Sequence, residues 1–312
     1  MKTINRFVLV LSLTVIGTSR GFVATDSNGS VCRQASQAEL TSCETGAQSQ
    51  YANSLGICYN ITDPRARQTC LNEAKQTLAS DGVACSQQFA SRNSFCLKTG
   101  GGAYDPQINP ANFTNKIDNP YLPLVPGTTF IYNTATPDGL EVDNFEVTSN
   151  TVVIMGVTCL EVHDTVTLDS VLTEDTLDWF AQDADGTVWY FGENAKQLSG
   201  GLIVGVAGSW TGGVNGAKPG IVMEANRKVG DIYRQEFAPG TSEDFGSVLS
   251  LNKTVTVPAG TYQNCVQTFD GSTLEPTTPE QKYYAQGVGN ILSVDKETGE
   301  RTELVQITTK SK

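Results

Sequence analysis

The sequence predicts an α+β protein that is mainly β: a small disulfide-stapled helical N-terminal module followed by a curved antiparallel β-sheet or open barrel. Six of the eight cysteines fall between positions 32 and 96, in a stretch with no Trp and few large aliphatic residues. From Gly127 onward, runs rich in Val, Ile, Thr and aromatic residues alternate with turn residues. No stretch there keeps a helical period, which favours an antiparallel sheet of about ten strands over parallel βαβ units.

The first 21 residues have the layout of a secretory signal peptide. Lys2 and Arg6 precede the apolar run from Phe7 to Ile16, and small residues follow it. Because this run is too short to cross a bilayer, we expect residues 1–21 to be cleaved and the protein to be secreted or periplasmic, not membrane-spanning. The net charge of −12 also disfavours nucleic acid as a partner.

The predicted helical module covers residues 28–98, and its cysteines are spaced as on the facing stripes of short helices. Export makes disulfides the expected state of these six residues, although the pairing is open. Zinc is disfavoured because no Cys-x-x-Cys and no nearby His occurs. The six are Cys32, Cys43, Cys58, Cys70, Cys85 and Cys96.

Three short motifs predict where the helices begin and end. Ser36-Gln37-Ala38-Glu39 is typical of a capping box, and Asp63-Pro64 places an N-cap residue before a first-turn proline. Ser80-Asp81-Gly82 predicts the end of one helix and the start of the next.

Residues 99–126 are predicted to form a Gly-rich linker followed by a proline-punctuated arm. The arm carries Tyr104, Phe113, Tyr121 and Leu124. Because these side chains are too apolar for a free tail, we expect the arm to lie against the β-domain that follows, residues 127–310. Cys159 and Cys265 each lie in a strand-like run of that domain, and we predict that they form a fourth disulfide.

The segment EDTLDWFAQDADGTVWYFGE, residues 174–193, predicts a hairpin that turns at Asp185-Gly186. Our predicted register puts aromatic rings and a carboxylate on one face: Asp178, Phe180, Trp189 and Phe191. Such a face suits a glycan, a lipid or another small amphipathic ligand. The alternative is that the proline-rich arm covers these rings.

Calcium is a second possibility for the same segment. Asp183, Asp185 and Gly186 align with part of an EF-hand loop, but both ends of the motif are missing. A looser oxygen site that uses Glu174 or Asp175 stays open. A calcium-stabilised surface protein is therefore one alternative function.

Most catalytic chemistries lack their residues. His163 is the sole histidine, and the dinucleotide-binding glycine fingerprint is incomplete. Paired carboxylates remain, so a carboxylate-based glycoside hydrolase is the other alternative. Carboxyl candidates are Glu174, Asp175, Asp178, Glu193, Glu236, Glu243 and Asp244, and Arg234, Lys282 and Tyr284 complete the predicted binding cluster.

The region from Tyr104 resembles a group of uncharacterised secreted proteins, mostly bacterial. The segments that carry the resemblance include YDPQINPANF, NPYLPLVPGTTF, GSWTGGVNGAKPGIVM and YRQEFAPGTSED. VTVPAGTYQNC and KYYAQGVG are also similar to the TapB-like exported β-proteins. That similarity implies a strongly curved antiparallel sheet, and neither resemblance implies a reaction.

Taken together, these patterns favour a non-enzymatic protein that binds a ligand or serves an envelope or extracellular interaction. No resident cofactor is expected.

Overall fold

A computed structural model describes residues 30–310, so the predicted signal peptide lies outside the described residues. Two long antiparallel helices come first, and an antiparallel sheet that curls into a nearly closed barrel follows them. This confirms the predicted fold class. None of the described helices is long and apolar enough to span a membrane.

The two helices form a hairpin, α1 (Val31–Tyr59) and α2 (Pro64–Lys98). Asp63 caps α2 as predicted, because its Oδ1 accepts a hydrogen bond from the Ala66 N–H at 2.7 Å. The helix boundaries predicted from the other two motifs are wrong. Ser36 lies inside α1 and donates its hydroxyl to the Cys32 carbonyl, while α2 continues through residues 80–82 without a break.

Three nested disulfides cross-link the hairpin: Cys32–Cys96, Cys43–Cys85 and Cys58–Cys70. The hairpin buries few side chains, and in α1 these are only Ser36, Ala47 and Cys58. With so little apolar burial, the cross-links are the main source of its stability, at about 2–4 kcal/mol each. Disulfides of this kind indicate an extracytoplasmic protein.

The sheet contains more strands than the predicted ten. The strands are β1 (Phe113–Thr114), β2 (Thr128–Thr136), β3 (Gly139–Ile154), β4 (Val157–Leu168), β5 (Val171–Asp183), β6 (Val188–Ser199), β7 (Leu202–Gly205), β8 (Trp210–Thr211), β9 (Lys218–Met223), β10 (Ile232–Arg234), β11 (Glu236–Phe237), β12 (Asp244–Val257), β13 (Gly260–Ser272), β14 (Glu280–Ala285), β15 (Gly289–Asp295) and β16 (Arg301–Thr309). Thirteen of them follow one hydrogen-bonded path, in the order β10-β12-β13-β14-β15-β16-β2-β3-β4-β5-β6-β9-β11, and three short ones pair beside it.

The two edges of this sheet meet at Gln235. This residue alone separates β10, which pairs with β12, from β11, which pairs with β9. Gly220 in β9 lies so close that a Cβ there would be 2.3 Å from the Gln235 carbonyl oxygen. A glycine is therefore required where the barrel closes.

The proline-rich arm packs against the barrel, as expected. Its Ile117 and Leu124 are buried in the main hydrophobic core. The Asn119 side-chain amide donates to the Gly186 carbonyl, and the Pro120 carbonyl accepts from the Gly287 N–H. Because those two glycines lie in the turns after β5 and β14, the arm covers the barrel end where these strands finish.

The barrel interior changes from apolar to acidic with distance from the arm. Side chains directly across from one another on neighbouring strands share a face of the sheet, so cross-strand rows trace the interior. In order from the arm, these rows include Leu160–Phe180–Tyr190, then Val162–Asp178–Glu193, then Val166–Glu174. The carboxyl groups therefore gather toward the end of the barrel opposite the arm.

The predicted disulfide between Cys159 and Cys265 is wrong, since both are buried free thiols. Cys265 lies in the main core inside the barrel. Cys159 lies in a second cluster, on the outer face, where Phe113 of the arm packs. Opposite faces of a curved sheet cannot bring two sulfur atoms within bonding distance.

Candidate functional site

The hairpin register differs from the predicted one. The Asp183 N–H donates to the Thr187 carbonyl at 2.9 Å, and Phe180 pairs with Tyr190. A register shift of one residue moves side chains to the other face of a sheet. Asp178 and Phe180 consequently face the barrel interior, whereas Trp189 and Phe191 face outward, so the predicted shared face is wrong.

The arm covers the outward-facing rings, which is the alternative raised above. Phe113 meets Trp189 and Phe191 edge-on, with ring centroids 6.1 and 5.5 Å apart respectively. The Trp189 indole N–H donates to Asp183 Oδ2 at 2.8 Å. These two rings are structural and do not form an open platform.

The remaining predicted binding residues separate into different places. Lys282 and Tyr284 lie on β14 inside the barrel, where the Lys282 ammonium is 3.3 Å from the Asp270 carboxylate. Glu236 lies close enough to Asp178 that the charge of Asp178 raises the pKa of Glu236. Arg234 lies apart from them, between the helical hairpin and the barrel.

A cavity of about 410 Å³ opens beside the acidic part of the barrel. Trp179, Trp210 and Glu193 line it. Its wall also carries uncharged polar side chains that can exchange hydrogen bonds with hydroxyl groups: Asn194, Ser209, Thr211, Asn215 and Thr241. Both aromatic surface and neutral hydrogen-bonding groups are thus present in one place.

Strand β8 brings the Trp210 indole beside the Glu193 carboxyl group on the inner face of the sheet, whereas Trp179 lies on the outer face with Gly192 and Thr211. Trp210 lies directly across from Glu193, and Thr211 across from Gly192, which also pairs with Trp179. A Cβ at Gly192 would be 2.4 Å from the Trp210 carbonyl oxygen, and the residue has a φ of +144°. Glycine at this position is what lets β8 approach β6.

The two indole N–H groups have different environments. That of Trp210 donates to Glu236 Oε2 at 2.9 Å, and the Ser242 hydroxyl donates to the same oxygen. That of Trp179 is buried and has no partner within residues 30–310. The Trp179 ring itself packs in the outer-face cluster with Cys159 and Phe191.

Glu193 is the carboxyl group of this cavity. It makes no hydrogen bond or ion pair with residues 30–310. Burial, and then the charges of Glu236 and Asp178, raise the pKa of Glu193 to about 10. The group is therefore protonated at neutral pH and can both donate and accept a hydrogen bond.

The neighbouring carboxyl groups are shifted in the same direction. Burial, with the charge of Asp244, raises the pKa of Glu236 to about 8. Burial, with the charge of Asp164, raises that of Asp178 to about 7, although a hydrogen bond from the Tyr190 hydroxyl opposes the shift. Farther from the arm, burial also raises the pKa of Asp143 and of Asp164, whose side chains share a hydrogen bond.

The calcium possibility gains no support from the turn. Asp183 Oδ1 accepts from the N–H groups of Asp185 and Thr187, so that oxygen serves the turn itself. Within residues 30–310, no group of three or more His, Cys, Asp or Glu side chains is placed to hold a metal ion. His163 contacts the Asp175 carboxylate at 2.9 Å on the partly exposed outer face.

Sequence reasoning assigned Trp179 to the core face and did not include Trp210. Trp210 follows Gly208 and Ser209 in a glycine-rich stretch, where two residues of strand give no detectable alternation. The signal that was available is Gly192 directly before Glu193, because a glycine inside a strand marks close approach of another backbone.

Comparisons with known proteins do not assign the chain to a family. No protein-family model matches the chain, and no curated protein matches it. One solved structure is similar, a Parabacteroides distasonis protein whose description as a lipoprotein is provisional. It is 13% identical, the match covers 60% of this chain and 98% of that one, and the TM-score is 0.33.

Proposed function

We propose that this protein is a secreted or periplasmic binding protein that takes a neutral, hydroxyl-rich ligand such as an oligosaccharide. The binding site is the cavity between Trp179, Trp210 and Glu193. The observation that supports it best is Glu193, a carboxyl group that lines the cavity, has no partner among residues 30–310 and has a pKa raised by burial.

Two features of the wall favour a neutral sugar. Indole rings offer apolar surface to the C–H faces of a sugar ring, while the uncharged polar side chains of the wall supply directional hydrogen bonds. The lining residues include no Lys, Arg or ionised carboxylate to select a charged ligand. The Glu193 carboxyl group then fixes the orientation of the ligand.

Glycoside hydrolysis is the second candidate, because Glu193 and Glu236 are electrostatically coupled carboxyl groups beside the same cavity. The reaction needs one protonated carboxyl group and one ionised carboxylate. The environments of Asp178, Glu193 and Glu236 raise all three pKa values instead of separating them. This common direction favours binding without hydrolysis.

Calorimetric titration with neutral cello-, malto-, xylo- and chito-oligosaccharides tests the proposal. At least one series is expected to bind the wild-type protein. Glu193→Gln keeps a neutral donor and acceptor and should change the Kd by less than about threefold, whereas Glu193→Ala should weaken binding at least about tenfold. Trp189→Phe is the control, because Phe113 covers that ring.

Two results would overturn the proposal. The first is that no series binds, and the second is that Glu193→Ala binds as tightly as the wild type. Chromatography of the same mixtures after incubation separates the two candidate functions, since new shorter saccharides would identify a hydrolase.

A further inference from the structure

A second cavity lies where the helical hairpin, the arm and the barrel meet. Its volume is about 200 Å³. Val31 and Ala35 of α1 and Phe237 of β11 supply apolar walls, and Tyr104 of the arm lies beside them. It shares only Pro239 with the lining of the Trp179–Trp210 cavity, so its ligand and its role are separate from the proposed function above.

Arg234 gives this cavity a positive charge that has no ion-pair partner among residues 30–310. Its guanidinium carbon lies 4.5 Å from the ring centroid of Phe95, 4.6 Å from that of Phe237 and 5.5 Å from that of Tyr104. Among residues 30–310, no carboxylate comes within ion-pair distance of it. The rings hold the guanidinium in place by cation–π attraction, but they do not neutralise it.

Arg92 adds a second guanidinium that is only partly used. The residue is 6% exposed, and its Nε and Nη2 donate to Glu243 at 2.8 and 2.9 Å. Its Nη1 is buried and has no partner in the described part of the chain. A buried Arg92 N–H without an acceptor is therefore present beside the cavity that Arg92 lines.

Neither of the two acids that line the cavity, Glu39 and Glu243, forms an ion pair with Arg234. Both Glu243 oxygens are already occupied, by Arg92, the Gly240 N–H and the Thr273 hydroxyl. Burial raises the pKa of Glu39, so Glu39 is less readily ionised than Glu243, whose pKa is lowered. The first turn of α1 at this cavity contains no acidic residue, so the positive end of the helix is capped by the neutral Ser30 hydroxyl and not by a carboxylate.

We infer that this junction cavity binds a small organic carboxylate, with the carboxylate at Arg234 and Arg92 and the hydrocarbon tail against Val31, Ala35 and Phe237. A guanidinium fork suits a carboxylate, and the apolar wall suits a short aliphatic chain. Such a ligand would lie between the hairpin and the barrel and strengthen their contact.

Hexanoate is the probe for this site, and binding to the full protein is measured by calorimetry. Hexanol, which lacks the charge, and sulfate, which lacks the tail, are the comparison ligands. We expect hexanoate to bind at least about tenfold more tightly than either one. Arg234→Met keeps much of the packing against the rings and should weaken hexanoate binding at least about tenfold.

Arg301→Met is the matched control, because Arg301 lies on β16, with a partly exposed side chain paired to Glu303, and is absent from the cavity lining. It should leave the hexanoate Kd unchanged. If Arg234→Met does not fold, the wild-type melting temperature replaces it, and hexanoate should raise that temperature more than hexanol or sulfate does. Sulfate binding as tightly as hexanoate, equal binding to Arg234→Met, or no binding of hexanoate to the folded wild type would each overturn the inference.

Discussion

Arg92 and Glu243 join the helical hairpin to the barrel through two parallel hydrogen bonds in a pair that is almost fully buried. Burial alone would raise the pKa of Glu243, but hydrogen bonds and charge from Arg92 hold it below its ordinary value. The pair is thus ionised when folded, and each partner depends on the other to offset the cost of burial.

Removing one partner should be more harmful than removing both. We expect Arg92→Met to lower the free energy of unfolding by about 3–5 kcal/mol, because it leaves the buried Glu243 carboxylate without its cation. The double variant Arg92→Met with Glu243→Met should lose less than the single one. Denaturant unfolding followed by circular dichroism measures both, and a double variant that is less stable than the single one would contradict this account.

The buried carboxyl groups predict that stability falls as pH rises. Folded pKa values of about 7, 8 and 10 for Asp178, Glu236 and Glu193 lie above the ordinary values of 3.8 and 4.5. Their contribution is therefore complete below those ordinary values and is lost as pH rises to the folded ones. Glu243 has the opposite sign, so its contribution is lost on acidification below 4.5.

We accordingly expect the melting temperature to be highest near about pH 5 and to fall by about 5–10 °C by about pH 9. Glu193→Gln fixes the neutral form and should reduce that fall. Melting curves across this range check the direction, and a melting temperature that rises toward alkaline pH would be inconsistent with protonated interior carboxyl groups.

We expect the buried free thiols of Cys159 and Cys265 to react only after the protein unfolds. Eight cysteines occur, and six are paired in the hairpin. Burial also raises the pKa of both thiols, which disfavours the reactive thiolate. Alkylation without reductant should label no cysteine in the native protein and two in guanidinium, and mass spectrometry counts them. A fourth disulfide would give none in either condition.

Reduction should unfold the hairpin while the barrel persists. All three disulfides lie in the helices, and all three tryptophans lie in the barrel. Dithiothreitol should therefore lower the helical signal at about 222 nm without shifting the tryptophan emission maximum. Simultaneous loss of both signals would show that the barrel needs the disulfides.

Local signals were sufficient for the fold class and for several boundaries. Asp63-Pro64 specifies the start of α2 through one side-chain hydrogen bond, which depends only on adjacent residues. Ser80-Asp81-Gly82 failed as a helix end because α2 lies along α1 and is cross-linked on both sides of this point, at Cys70 and Cys85. Tertiary constraint overrides local propensity at such sites.

The site was less accessible from sequence because it depends on register and on distant strands. A turn with three residues between Asp183 and Thr187, in place of the assumed register, moved Phe180 and Trp189 to opposite faces. The juxtaposition of Trp210 with Glu193 comes from a two-residue strand that has no pattern of its own. Likewise, the sequence does not reveal that the arm covers Trp189, because the contact between Phe113 and Trp189 joins residues that are far apart in the chain.

The most direct test of the central claim is a fluorescence titration of the Trp189→Phe variant. Only Trp179 and Trp210 remain as indole reporters, and both line the proposed cavity. A neutral oligosaccharide should change the emission saturably, and adding Glu193→Ala should abolish that response at the same concentrations. No response to any neutral saccharide, or an equal response after Glu193→Ala, would contradict the claim that this cavity binds a sugar through a protonated carboxyl group.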